Sequence, residues 1–222
     1  MVHAALNPQL SLLEARILGV LVEKELTVAE IYPLSLNALT AGCNQKNNRN
    51  PVLNTSELDV QAAIDRLMPL SLAIESSGSR VMRYSQNIGR VLKVPSEAVA
   101  LLAALWLRGP QTAAELRAAT ERLHRFADVS SVEGFLTQLA ERSLESGGPL
   151  VRLLPRAAGA RESRWVDLLS PAAQSVNVEP RREQDVGGAA APDWRAEFEQ
   201  LRAELQSLRE RVQQLENRGP LG

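Results

Sequence analysis

The sequence predicts a mainly α chain with small β hairpins: two repeated units of three helices and a hairpin, then a separate C-terminal helix. Three observations carry this. Apolar residues recur at helical spacing behind serine or threonine capping boxes. Two pairs of short β-prone runs flank turn residues. The order helix, helix, helix, hairpin occurs twice along the chain.

Residues 1–10 read as a loose lead-in. Ser11-Leu-Leu-Glu14 forms a capping box, in which the hydroxyl takes one orphan amide and the glutamate reaches back to another. Leu13, Ile17, Val20 and Leu21 follow as one buried stripe. A second box is expected at Thr27-Val-Ala-Glu30. Tyr32-Pro33 should end that turn, because the residue before proline avoids the α region, and Pro33 suits the first position of a new helix running to about Cys43. Asn44 to Asn54, rich in asparagine and holding Pro51, should be a loop. Ser56 and Asp59 open a helix with Val60, Ile64 and Leu67 on its apolar face, and Leu72–Glu75 and Arg80–Tyr84 make a hairpin. In the second unit, Ser96 should cap a helix burying Ala98, Leu101, Leu102 and Leu105. Boxes at Thr112-Ala-Ala-Glu115 and Ser130-Ser-Val-Glu133 open two more helices, the latter burying Val132, Leu136 and Leu139. Leu150–Leu154 and Arg164–Leu168 form a second hairpin.

The halves can be registered. Ser11–Ile31 aligns with Ser96–Leu116 at an offset of 85, and Val60–Leu72 with Val132–Leu144 at an offset of 72, so the first half carries 13 extra residues between Ile31 and Val60. Three helices followed by a hairpin is the winged-helix order, an elaborated helix-turn-helix. The expected organisation is a first winged-helix domain over 1–91, a second over 92–172, a flexible linker over 173–192 and a coiled-coil helix over 193–218.

Residues 10–91, above all the runs YPLSLNAL and CNQKNNRNPV, resemble a family of uncharacterised bacterial proteins often called the YceH type. The resemblance extends over residues 10–170. It implies a tandem winged-helix fold and a transcription-related or DNA-binding role, and it brings no catalytic residues.

In the tail, Phe198, Leu205 and Val212 fall at a positions of a heptad seam, and Leu201, Leu208 and Leu215 at d. A parallel pair would place Glu197 against Arg202, Glu204 against Arg209 and Arg211 against Glu216, all opposite in sign. The expected assembly is a homodimer through this seam, the rival being a helix folded back on its own chain.

The composition narrows function. A net charge of −1 gives no global attraction to nucleic acid or anionic membrane, and the only cysteine, Cys43, excludes an intramolecular disulfide. The longest apolar runs fall short of the ~20 residues of a membrane span, and the N-terminus lacks a signal-peptide pattern. A cytoplasmic protein with no membrane association is expected. There is no paired-cysteine metal pattern, Walker loop or dinucleotide motif, so no metal, cofactor or enzymatic activity is expected. His124, among arginines, reads as a solvated helix-end residue, and Cys43 as an inert buried thiol rather than a nucleophile.

Each unit is neutral overall, with eight Lys/Arg and eight Asp/Glu over 1–91 and nine of each over 95–172. Glu57, Asp59 and Asp65 make the third helix of the first unit acidic where a groove reader should approach phosphate. Positive charge lies instead in the asparagine-rich loop and the hairpins. The candidate DNA- or partner-binding residues are therefore Asn44, Gln45, Lys46, Asn47, Asn48 and Arg49, with Arg66, Arg80 and Arg83. Lys46 and Arg49 would be the charged contacts of the loop. The competing structural reading is that these asparagines only hold a long loop in shape. The expected function is a DNA-associated regulatory protein whose partner is double-stranded DNA; the rival is a protein-interaction scaffold without direct DNA binding.

Overall fold

Helix α1 (Leu12–Thr27) starts where Ser11 and Glu14 exchange side-chain and backbone hydrogen bonds of 3.2 and 2.6 Å, the capping box expected from the sequence. The computed structural model describes residues 8–76, 81–157 and 159–171. After α1 come β1 (Leu34–Ser35), α2 (Leu36–Cys43), α3 (Glu57–Leu67), β2 (Ala73–Ser76), β3 (Arg83–Gln86) and the short α4 (Ile88–Leu92). The second half runs α5 (Ser96–Arg108), α6 (Ala113–Thr120), α7 (Val129–Ala140), β4 (Val151–Leu153) and β5 (Trp165–Asp167). The chain is thus mainly helical with small antiparallel sheets.

The first sheet has the order β1-β3-β2, with Leu34 opposite Tyr84 and Ala73 opposite Gln86. The second pairs β4 with β5, and Gln111 bridges Trp165 just before α6, as β1 meets β3 just before α2. Both hairpins were legible from their runs: β4 and β5 are set in by one residue at each end, whereas β2 lies one residue and β3 two to three residues later than expected.

Several helix starts differ from expectation, each for a capping reason. Thr27 caps nothing: it is the last residue of α1, and its hydroxyl donates to the Glu23 carbonyl at 2.7 Å, while the expected turn follows as a single 3-10 turn (Ala29–Ile31) that begins after Val28 and ends at Tyr32. Pro33 precedes a strand instead of starting a helix, and Ser35 is the cap of α2, accepting from the Ala38 amide. Ser96 lies inside α5, whose cap position is Pro95. The last box shifts as well, because the Asp128 carboxylate reaches the Ser131 amide at 2.7 Å and starts α7 before Ser130 does. The boxes at Ser56 and Thr112 stand as expected.

These caps revise the repeat. Thr112 caps α6, so its counterpart is Ser35 and not Thr27. Cap positions are 84 residues apart for the first helix pair (11 and 95), 77 for the second (35 and 112) and 72 for the third (56 and 128). Seven extra residues therefore precede α2, and five lie in the loop between α2 and α3.

Ile17, Leu21, Ile64 and Leu67 are buried, as are Leu102, Leu105, Leu136 and Leu139. They belong to one continuous core that runs through both halves, and the expected boundary at 91/92 falls inside α4. α1 lies directly on α5. A Cβ on Gly19 would sit 2.9 Å from Leu107 Cγ, so only glycine lets these helices approach so closely. Gly42 does the same for α2 on α1, where an added Cβ would meet Val20 Cγ1 at 2.5 Å. Leu10, just before α1, is anchored too: it is buried, and its amide donates to the Leu169 carbonyl at 2.7 Å.

Candidate functional site

The loop after α2 folds inward around two arginines. Arg49 has a fully buried side chain. Its guanidinium donates to both carboxylate oxygens of Glu23 at 2.6 and 3.2 Å, to Gln45 Oε1 at 2.7 Å, and to the Gly42 and Asn48 carbonyls at 3.2 and 3.0 Å. Arg16, also buried, projects from α1 and donates to the Cys43 carbonyl at 3.3 Å and the Pro51 carbonyl at 2.7 Å. Both cations therefore sit on carbonyls at the C-terminal end of α2, where the helix dipole favours positive charge.

The asparagines close the loop. Asn44 donates to the Thr55 carbonyl and accepts from the Thr55 amide, each at 2.8 Å. Asn48 takes the left-handed conformation with φ 58°, which short amide side chains tolerate. The Asn50 amide donates to the Leu107 carbonyl at 2.8 Å and its side chain to the Arg108 carbonyl at 3.4 Å, so the loop caps the C-terminus of α5 in the other half. Tyr32-Pro33 and Asn50-Pro51 are both cis.

This geometry reassigns several candidate contacts. Arg49 is withdrawn from solvent and cannot be a charged contact of the loop surface. Arg66 pairs with Glu14 at 2.6 Å, and Arg83 donates to the Ile31 and Pro33 carbonyls, bracing β3 against the chain before β1. Gln45, Lys46, Asn47 and Asn48 remain exposed, so Lys46 is the loop's surface cation. Arg80 lies outside the described residues, as do the linker 173–192 and the seam residues Phe198, Leu201, Leu205, Leu208, Val212 and Leu215. His124 is half-buried, its ring meeting Phe126 edge-on at 4.6 Å.

Burial pushes the Cys43 thiol up to about 12 against the pull of Arg16 and Arg49, so it stays protonated at neutral pH. Burial also tends to raise Glu23, but the Arg49 hydrogen bonds and charge, with Lys24, hold it below the ordinary glutamate value. Asp167 goes the other way. Burial lifts it although Ser170, Trp106 and the Leu169 amide all donate to it, and it ties β5 to α5. Among the described residues no group of three or more His, Cys, Asp or Glu side chains is placed to hold a metal ion, and no helix is long and apolar enough to cross a membrane.

Beside the loop lies an open cleft of about 360 Å³. Its walls come from the end of α1, the loop, α5 and the end of α6, and they carry Lys24, Arg49, Arg108 and Arg122 against Glu23. Sequence reasoning missed Arg16, Glu23, Arg108 and Arg122. Only Arg16 left a local signal, since it falls on the apolar stripe between Leu13 and Val20. The others meet the loop through contacts remote in sequence.

The helices, small sheets and inward-folded loop define a mainly α protein built from two similar halves on one core. The chain belongs to the family described as Protein of unknown function, DUF480, whose pattern matches residues 10–160. A UPF0502 protein of Leptothrix cholodnii is 59% identical over 193 residues, covering 85% of each chain. One from Burkholderia ambifaria is 58% identical over 194 residues, covering 87% of this chain and 79% of its own. A third, from Methylibium petroleiphilum, is 64% identical over 160 residues, covering 72% and 67%.

Proposed function

We propose that the chain is a DNA-associated regulatory protein in which each half is a winged-helix unit and the second half makes the nucleic-acid contacts. The element order supports the unit assignment: each half runs helix, strand contact, helix, helix and two-stranded ladder. The observation that carries the functional reading is the contrast between the two third helices. α3 exposes Glu57, Leu58, Asp59 and Asp65, and its one cation is engaged by Glu14. Such a face repels phosphate. α7 exposes Ser130, Glu133, Gly134, Thr137 and Gln138, mostly small groups that donate and accept hydrogen bonds at base edges. Arg125 is exposed just before α7, and Arg156 and Arg161 are exposed between β4 and β5, where they serve backbone contact.

Fluorescence anisotropy of a random-sequence duplex, from low to moderate salt, tests this. The wild type should bind at low salt and weaken steeply as salt rises. Replacing Arg125 and Arg161 by alanine should lower the salt slope by about two. An absence of binding at low salt, or an unchanged slope, contradicts the proposal.

A second reading, a protein-interaction scaffold, draws on α3 itself. Leu58 is 82% exposed between Glu57 and Asp59, an acidic-apolar face suited to a basic partner segment. It is the better reading if no duplex binds at any salt while a nuclease-resistant partner is captured by the wild type and lost in Leu58→Lys.

A further inference from the structure

We propose that the cleft between α1, the asparagine-rich loop, α5 and α6 binds a small organic phosphate, a phosphomonoester carrying an apolar part. The inference is independent of the DNA reading. Of the charged groups in the walls, Glu23 and Arg49 satisfy each other at 2.6 Å. The other cations in the walls are Lys24, Arg108 and Arg122. Lys24 keeps a longer contact of 3.6 Å to Glu23. The guanidinium groups of Arg108 and Arg122 make no hydrogen bond or ion pair among the described residues.

Arg108 is the telling one. It is half-buried, and loss of water together with the nearby Arg49 charge pulls its guanidinium below the ordinary range, opposed by Glu23. A cation partly stripped of water and given no acceptor is unfavourable unless an anion completes it. The ends of α1 and α5 contribute roughly half a negative charge each near the cleft. Their exposed carbonyls are already covered in part, by the Val28 amide on Lys24 and by Asn50 on Leu107 and Arg108. Four wall cations against the single carboxylate of Glu23 outweigh the remainder.

Three cations suit a dianion, and planar guanidinium groups match the geometry of phosphate oxygens. The walls also carry Val28, Ala118, Ala119 and Leu123, which leave some apolar surface for the rest of the molecule. A volume of about 360 Å³ lies at the small end of ligand sites, sufficient for a mononucleotide-sized molecule.

Calorimetry and thermal melting of the full chain with AMP, phenyl phosphate, pyrophosphate and adenosine, at matched ionic strength, test the proposal. AMP or phenyl phosphate should bind at one site per chain and raise the melting temperature. Adenosine, lacking the dianion, should do neither. Arg108→Gln and Arg122→Gln should each weaken that binding roughly tenfold or more, the loss of a charge-assisted hydrogen bond. Arg122 is exposed, so its variant keeps the fold even if Arg108→Gln does not. The site is overturned if neither organic phosphate binds beyond the salt control, if only pyrophosphate binds, or if binding is undiminished in Arg122→Gln.

Discussion

Burying a guanidinium is unfavourable by several kcal/mol unless its donors and charge are answered. Arg49 is answered in full, by one carboxylate, one side-chain amide and two carbonyls. In sequence Lys46 and Arg49 look alike, two cations in an acid-free stretch, and both were candidate contacts. What separates them is Glu23, 26 residues earlier in the chain and on another element. No local pattern links that pair, so the division of the loop into one buried and one exposed cation was not legible. Glu23 also makes the pair pH-dependent. Its folded pKa is depressed below the ordinary glutamate value, so its contribution to stability is present above the unfolded pKa and fades as pH falls through the folded one. In urea unfolding at a series of pH values, Glu23→Gln should therefore trail the wild type most near neutrality. The gap should close as pH drops below about 4, under the ordinary range for glutamate.

The capping boxes explain both what was readable and what misled. A serine or threonine followed three residues later by an acid marks a helix start only if the backbone turns there. At Ser11, Ser56 and Thr112 it does. At Thr27 the helix has not yet ended, so the hydroxyl bonds back into its own last turn. At Ser130 a better acceptor, the Asp128 carboxylate, comes two residues earlier. Thermal melting checks the last assignment: Asp128→Ala should lower the melting temperature, and Ser130→Ala should leave it nearly unchanged. The false box at Thr27 also set the wrong register between the repeats. Apolar periodicity was more dependable, because burial of a stripe does not depend on which residue caps the helix; of the fourteen stripe positions all are buried except Leu13, which is half-buried.

At the scale of the whole molecule, the two halves are legible as a repeat but not as partners. Helical stripes show which face is buried without showing against what, and here α1 meets α5 through Gly19. Ile64 lies in the first half and Leu136 in the second, yet both belong to the same core. Replacing either by alanine should cost about 2–5 kcal/mol. Each replacement should shift one common unfolding transition, followed by circular dichroism, and should not split it in two. The asparagine-rich loop is the second tie between the halves, reaching from Arg16 and Glu23 in α1 to the end of α5. Its role as an internal staple is tested most directly by denaturant unfolding of the wild type, Lys46→Ala and Arg49→Ala side by side. Lys46→Ala should stay within about 0.5 kcal/mol of the wild type, as an exposed substitution does. Arg49→Ala should lose about 3–5 kcal/mol, because it strands Glu23 and the loop carbonyls without their partner. Two variants equally close to wild-type stability would contradict the staple and return the loop to the surface as a contact element.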